Sequence, residues 1–238
     1  MRKFLVSLIF FSAIYAESIN ADHFKNLKFR FIGPDGNRAI AVAGISSDHN
    51  TYFVGAASGG LWRTKNNGIS WKPIFDDQDV SSVSALAVSQ KDPNIVWAGT
   101  GETFLIRPAH AIGDGIYKST DGGDTWTNMG LEKTARIGRI VIHPTNPNIV
   151  YVAALGHAHG PQKERGIYRT TDGGKSWEHV LFINENTGGI DIAIDLNNPD
   201  FLLASMWEIH INSWGLNSGG ESGGVFISRD GGDSWERQ

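Results

Sequence analysis

The sequence predicts an all-β fold built from four copies of a four-stranded antiparallel unit. A short phrase, Ser/Thr-x-Asp/Asn-x-Gly-x-Ser/Thr-Trp, occurs four times, and its tryptophans are separated by 55, 51 and 58 residues. Such a spacing indicates a repeat architecture with one supersecondary unit per period. Each phrase lies between short apolar runs, and no helical periodicity occurs. Four strands in every ~50 residues match the blade of a β-propeller better than a sandwich, whose strands would not recur in identical order.

The repeated phrase, called the box below, has the chemistry of a β-turn. Its Asp or Asn is expected to accept hydrogen bonds from N–H groups two or three residues on, and its Gly to supply a positive φ. The alternating carboxylates and terminal Glu of a calcium loop are missing. We therefore interpret the boxes as structural, with the residues Asn66, Gly68 and Trp71; Asp121, Gly123 and Trp126; Asp172, Gly174 and Trp177; and Asp230, Gly232 and Trp235.

The chain starts with the pattern of a secretion signal. Arg2-Lys3 precede an apolar run over 4–14, and the small Ala16 marks a plausible cleavage point. This run is shorter than the ~20 residues that a membrane-spanning helix needs. We predict a signal peptide over 1–16, a periplasmic or extracellular protein, and no membrane span after signal removal.

After a lead over 17–35, the predicted propeller covers 36–238. Strand A of each blade ends at a turn, in three copies a proline turn; strand B is apolar and buried on both faces; strand C precedes the box; strand D begins at the box tryptophan. The predicted blades cover 36–80, 81–134, 135–186 and 187–238. Strands A are predicted at 38–45, 83–89, 137–143 and 190–195, strands B at 51–57, 95–101, 149–155 and 201–207, and strands C at 61–63, 116–118, 167–169 and 225–227.

Composition excludes several function classes. The formal charge is −4 and the 21 basic residues are scattered, so the sequence lacks a nucleic-acid-binding surface. The absence of cysteine excludes disulfides, zinc-thiolate sites and a cysteine nucleophile. His157-x-His159 has no third ligand fixed by sequence, so no metal and no cofactor are predicted.

Propeller topology sorts the loops onto two faces. The boxes share one face with the A–B turns, and the B–C and D–A loops share the other. The B–C connection is short at 58–60 but long at 102–115, 156–165 and 208–224, and long loops on a rigid scaffold usually carry binding. The alternative is that these side chains are solvated or pack the loops. The predicted ligand-binding residues on this loop face are Glu102, Arg107, His110, Asp114, His157, His159, Arg165, Trp207, Glu208, His210 and Trp214.

Aligning the blades by their turns pairs particular charged residues. Glu102 and Glu208 fall at one equivalent position at the end of strand B, which makes them weak catalytic candidates. Either they line a polar groove for sugar hydroxyls or a basic peptide, or each caps its own loop. The same alignment of strands A puts Arg139 and Asp191 at one level, where we expect a direct or water-bridged contact.

The boxes, with the segments 96–102 and 113–123, resemble the Asp-box, or bacterial neuraminidase repeat, proteins, in particular secreted bacterial sortilin-like propellers labelled glycosyl hydrolases. The resemblance covers about 28–238 and implies the N-terminal part of a larger propeller. The arginine triad, tyrosine nucleophile and acid of sialidases cannot be assembled here. Xyloglucanases are similar in blade order, and the resemblance implies a base aspartate where this chain has Ala57, with the second carboxylate on another propeller. Inverting hydrolysis needs two carboxyls ~6.5–9.5 Å apart.

Three function classes remain. The first is a secreted module that binds a protein, a peptide or a glycan through its loop face. The second is a xyloglucanase-like glycoside hydrolase acting on a plant or algal polysaccharide, or part of one. The third is an assembly role, like that of the Asp-box propeller factor that helps assemble photosystem II. The alanine at position 57 favours binding, and the aromatic residues of the last long loop favour sugar recognition.

Overall fold

The structure is a computed structural model, which describes residues 20–25, 33–34, 38–103 and 111–238. The predicted signal peptide and most of the lead lie outside the described residues. The chain divides into two compact units, Met1–Phe31 and Ile32–Gln238. The described part of the first unit contains a 3₁₀ helix at Ala21–Phe24. In the described part of the chain, no helix has the length and apolar character of a membrane span.

Within the described residues, the second unit contains four antiparallel sheets whose strands follow chain order, which confirms the all-β propeller fold. The first sheet has β1 (Ala39–Ile45), β2 (Asp48–Ala56), β3 (Leu61–Thr64) and β4 (Lys72–Pro73); the second has β5 (Val83–Val88), β6 (Val96–Thr100), β7 (Ile116–Ser119) and β8 (Thr127–Asn128). After a 3₁₀ turn at Glu132–Thr134, the third sheet has β9 (Ile137–Ile142), β10 (Val150–Ala154), β11 (Gly166–Thr170) and β12 (Glu178–Leu181). The fourth has β13 (Thr187–Ile194), β14 (Leu202–Ile211), β15 (Leu216–Ser218), β16 (Gly224–Ser228) and β17 (Glu236–Arg237).

The fourth sheet departs most from the predicted strands. β14 runs four residues past its predicted end, and its last residues pair with β15 from Ile209↔Ser218 to Ile211↔Leu216. The stretch 208–224, predicted as a loop, therefore contains a hairpin that extends the loop face. Each strand D also begins one residue after the box tryptophan and not at it.

The core lies between consecutive sheets. β1 packs on β5, β5 on β9, and β9 on β13. Each sheet pair encloses one apolar cluster, such as Phe53 and Leu61 with Leu86 between the first two sheets. The strands β6 and β10 are buried along their whole length, as predicted for strands covered on both faces.

The predicted contact between Arg139 of β9 and Asp191 of β13 is confirmed. The Arg139 Nε atom donates to Asp191 Oδ1 at 2.7 Å, and both side chains are about half exposed. Neighbouring innermost strands therefore join through a solvated ion pair, whose contribution to stability is small.

The boxes are closed by their own side chains. In the second box, Ser119 Oγ accepts the Gly123 N–H at 2.8 Å, and Asp121 accepts the N–H and O–H of Thr125 at 2.9 and 2.6 Å. The backbone donors to the carboxylate are three and four residues on, where two or three were predicted, so the donor at three residues is confirmed and a further one follows it. Two successive residues of the turn adopt a left-handed conformation. These are Gly122 and Gly123, with φ of 72° and 93°.

The box tryptophan reaches beyond its own turn. Trp126 Nε1 donates to the Ile74 carbonyl of the first sheet at 2.8 Å, and Trp177 Nε1 to the Met129 carbonyl of the second at 2.7 Å. The indole of Trp235 donates within its own box, to the Gly232 carbonyl at 3.1 Å. The second and third boxes therefore fasten their turns to the preceding sheet.

The first prediction concerns the carboxylate of the third box. Asp172→Ala removes the acceptor of the Ser176 N–H and O–H. We expect a lower melting temperature by scanning calorimetry, because donors of the turn lose their partner. Asp172→Asn should lose much less, since Asn66 accepts the equivalent N–H in the first box. The exposed Asp77→Ala is the control, and an unchanged melting temperature for Asp172→Ala would contradict a structural role of the box.

The second prediction concerns acid stability. Hydrogen bonds from the Ser234 hydroxyl and N–H lower the pKa of Asp230 to about 2, whereas an aspartate in an unfolded chain has a pKa of about 3.9. The stabilisation is therefore complete above about pH 4 and is lost as the pH falls from 4 towards 2. In acid titrations followed by circular dichroism, Asp230→Asn should depend less steeply on pH in this window than the parent protein. Equal slopes would show that this carboxylate does not contribute.

Candidate functional site

Strand register places Glu102 and Glu208 at equivalent positions of the second and fourth sheets. Directly before the bulge in each first strand, Val83 pairs with Thr100 and Gly189 pairs with Met206. Each glutamate follows two residues later; Glu102 lies just past the end of β6, whereas Glu208 lies within β14 and pairs with Thr187. The alignment made from the sequence therefore agrees with the pairing of the strands.

The surroundings of Glu102 differ from the predicted open groove. The residue is 3% exposed, and its carboxylate forms an ion pair with the guanidinium of Arg38. Its N–H donates to the Ala111 carbonyl at 2.9 Å, and its own carbonyl accepts from Arg136 Nε at 3.0 Å. Glu102 therefore joins three chain segments, and it offers no open carboxylate to a ligand.

Two buried arginines, Arg136 and Arg165, hold the loops of the loop face by donating to backbone carbonyls. Arg136 donates to the carbonyls of Glu102 and Gly156. Arg165, predicted as a ligand-binding residue, is 1% exposed and donates to four loop carbonyls, those of His157, Gly160, Asn186 and Ile209. Burial lowers the pKa of both guanidinium groups. Both terminal nitrogens of Arg165 therefore donate to backbone carbonyls, and the buried side chain is not presented to a ligand at the surface.

Sequence analysis missed Arg38 and Arg136. Both stand directly before the first strand of a blade, at Ala39 and Ile137. The repeated arginine at this position could have been noticed in the sequence. Its partner could not, because Glu102 lies 64 residues from Arg38 and 34 residues from Arg136.

Other predicted residues are separate from one another. Asp114 accepts the Tyr117 hydroxyl at 2.6 Å, which anchors the end of β7. His157 and His159 are exposed, and His159 Nδ1 lies 3.2 Å from the Ile211 carbonyl. In the described residues, no three His, Cys, Asp or Glu side chains are grouped so that they could hold a metal ion. Arg107 and His110 lie outside the described residues.

The structure does bring Glu208 and His210 together in one groove. They are two residues apart on β14 and so share a face of the strand. A cavity of about 540 Å³ opens there, which we call the fourth-sheet groove; its lining is Asn186, Glu208, His210, Asn217 and Gly219. Sequence reasoning missed Asn186, Asn217 and Gly219. Asn217 lies on β15, which was not predicted, and pairing of β15 with β14 places it in the groove.

Glu208 is held in this groove by the following loop. Its Oε2 accepts the N–H and O–H of Ser222 at 3.0 and 2.6 Å. These bonds lower the pKa of the carboxyl, so it is ionised at neutral pH. A Cβ on Gly220 would meet the Glu208 carboxylate, so a larger residue there would displace this carboxylate from its present position. Glu208 thus caps its loop and also faces the groove.

Two tryptophans lie near the groove in different settings. Trp207 precedes Glu208 and points to the other face of β14, where its Nε1 donates to Ser218 Oγ at 3.1 Å. Trp214 is 91% exposed at the turn between β14 and β15. Its indole is an uncovered aromatic surface on the hairpin that carries His210 and Asn217.

The position of the expected catalytic base has no ionisable group. Ala57 is 2% exposed, and its N–H donates to the Arg38 carbonyl at 2.9 Å. The following Gly59 and Gly60 both donate to the Ser81 carbonyl, so this loop is tied to the second sheet.

Comparison with known proteins identifies the family. Residues 114–238, more than half of the chain, match the Sortilin-Vps10 family, described as "Sortilin, neurotensin receptor 3". The chain belongs to this family of Asp-box propellers.

Individual relatives are distant and mostly longer. A xyloglucanase from Paenibacillus sp. is 24% identical over 211 residues, which are 80% of this chain and 20% of that protein. A GH74 enzyme from Niastella koreensis has a TM-score of 0.62 at 22% identity, covering 82% of this chain and 28% of that one. YCF48 bound to D1 peptide has a TM-score of 0.50 at 16% identity, covering 89% and 87%. The chain thus spans about a fifth of the xyloglucanase, and the structural likenesses show the fold alone.

The third prediction compares the stability cost of replacing Arg136, which is buried, with that of replacing Arg139, which is exposed. Arg136→Leu leaves the carbonyls of Glu102 and Gly156 without their donors and should lower the free energy of unfolding by about 1–3 kcal/mol. Arg139→Gln breaks a solvated ion pair and should cost about 0–1 kcal/mol. Urea unfolding of both variants measures the difference. Equal costs would show that the carbonyl contacts of Arg136 do not support the loop face.

Proposed function

We propose that the chain is a secreted glycan-binding propeller module whose contact surface is the fourth-sheet groove with the β14–β15 hairpin. The observation that carries the proposal is the grouping of polar side chains beside an exposed indole. Glu208 and His210 line the groove with two asparagines, and Trp214 stands free on the same hairpin.

The chemistry of this surface suits a neutral saccharide. Carboxylate and amide groups accept and donate hydrogen bonds to hydroxyls, and a free indole face covers the apolar face of a pyranose ring. The names of the relatives support the same ligand class, since several are xyloglucanases. Secretion is inferred from the leader pattern over 1–16.

The alternative is that the chain is part of a glycoside hydrolase. The xyloglucanase relatives support it, because the chain covers only a fifth to a third of their length and a further propeller could supply the second carboxylate. Within this chain the chemistry argues for binding. Ala57 stands where the base is expected, Glu102 is buried in an ion pair, and hydrogen bonds from Ser222 lower the pKa of Glu208, which does not favour the role of a general acid.

A peptide ligand is a second candidate. YCF48, whose structure holds a D1 peptide, is similar in length to this chain. Two of the four polar lining side chains, Asn186 and Asn217, are neutral amides that complement hydroxyl groups. This observation favours a saccharide over a peptide.

The fourth prediction tests the glycan surface. Calorimetric titration with xyloglucan oligosaccharides should give saturable binding to the parent protein. Glu208→Gln and Trp214→Ala should each bind at least tenfold more weakly, about 1.4 kcal/mol. Glu221→Gln makes the same charge change in the same loop outside the groove, and it should bind normally.

Three outcomes would count against the proposal. Failure of every tested glycan to bind would remove it, and unchanged affinity in both variants would move the site elsewhere. Release of reducing ends by the parent protein, abolished in Glu208→Gln, would favour the hydrolase.

A further inference from the structure

A basic residue at one position of strand C links three pairs of neighbouring sheets on the box face. Arg63 donates to the Gly122 carbonyl at 2.6 Å, Lys118 to that of Gly173 at 2.9 Å, and Arg169 to that of Gly231 at 2.8 Å. Each acceptor is the first left-handed glycine of the next box. The contact therefore repeats with the blades.

The charges around this contact differ at one interface. Arg63 also pairs with Asp124 at 2.8 Å, and Arg169 with Asp233 at 2.6 Å. The equivalent residue of the third box is Lys175. Between the second and third sheets, two lysines thus stand where the other two interfaces have an arginine and an aspartate.

Lys118 is held in place before any ligand arrives. Its Nζ lies 5.1 Å from the centre of the buried Trp97 ring and donates to the Gly173 carbonyl. Burial, and then the charge of Lys175, lower the pKa of Lys118, while Asp172 acts in the opposite direction. An ammonium group fixed in this way loses little conformational freedom on binding an anion.

Asp172 offsets part of the charge of the two lysines, but an equivalent box carboxylate is present at all three interfaces. The oxygens of Asp172 accept from the Ser176 N–H and O–H and from the Thr170 hydroxyl. The same three bonds are made by the box carboxylates at the other two interfaces, so the exchange of aspartate for Lys175 leaves this interface more positive by two charges.

Space for a ligand lies beside the two ammonium groups. A cavity of about 370 Å³ opens between the second and third sheets, and we call it the two-lysine groove. Its polar lining is Lys118, Lys175, Asp172, Asn148, Thr120, Thr125 and Thr127.

We propose that the two-lysine groove binds a small oxyanion of the carboxylate or sulfate type. The two ammonium groups supply the charge, and Asn148 with the hydroxyls of Thr120 and Thr127 supplies neutral donors for the remaining oxygens, since the Thr125 hydroxyl already donates to Asp121. The groove lies on the box face, opposite to the fourth-sheet groove, so the two sites are independent. An acidic saccharide is a source of either anion, as a uronate or as a sulfate ester.

The experiment uses the full chain and simple anions. Sodium sulfate and sodium glucuronate are titrated at constant ionic strength against chloride, and the amide resonances of Gly173 and Lys175 are followed by NMR. We expect saturable shifts with at least one of the two oxyanions and none with chloride. The anion that responds identifies the group recognised, sulfate or carboxylate.

A pair of variants makes the result decisive. Lys175→Asp recreates the arrangement of the other two interfaces, so it should fold with no loss of melting temperature and bind the oxyanion at least tenfold more weakly. Lys163→Asp makes the same charge change at an exposed site elsewhere and should bind normally. Linear shifts without saturation in the parent protein, or unchanged affinity in Lys175→Asp, would overturn the proposal.

Discussion

The carbonyl of the first left-handed glycine in the second, third and fourth boxes is the group on which the polar contacts between neighbouring sheets depend at the box face. The positive φ of Gly122, Gly173 and Gly231 turns this carbonyl towards the preceding sheet, where a basic side chain donates to it. In two boxes the indole adds a bond back to the same preceding sheet. The carboxylate that closes the turn therefore supports a contact between blades as well as the turn itself.

Local chemistry explains why the fold could be predicted from the sequence. The period, the strand order and the glycine conformations all follow from turns that close within eight residues. The tryptophan partners could not be predicted, because Trp126 reaches a carbonyl 52 residues earlier and nothing in the turn specifies it. The hairpin of β15 was also missed, since 216–218 is short and polar and pairs only because β14 continues beside it.

The candidate site shows the limit of alignment between repeats. Alignment of the repeats in the sequence gave Glu102 and Glu208 equivalent positions, and the strand pairing in the structure agrees with this equivalence. Their roles diverge because the groups around them come from other segments. Arg38, 64 residues earlier, takes the carboxylate of Glu102, whereas Ser222, on the loop that follows Glu208, holds that carboxylate at the edge of a groove. Equivalent backbone position therefore does not fix the chemistry of a side chain.

A repeat protein also allows each interface to be judged against its neighbours. On the box face, two interfaces join by an arginine, a glycine carbonyl and an aspartate, so the exchange of that aspartate for Lys175 stands out against its own background. Lys175 is exposed and Lys118 is partly exposed, so screening by solvent keeps the repulsion between their charges small. The interface therefore carries two cations that line one groove, and a bound oxyanion would offset part or all of the positive charge that the exchange of aspartate for lysine adds.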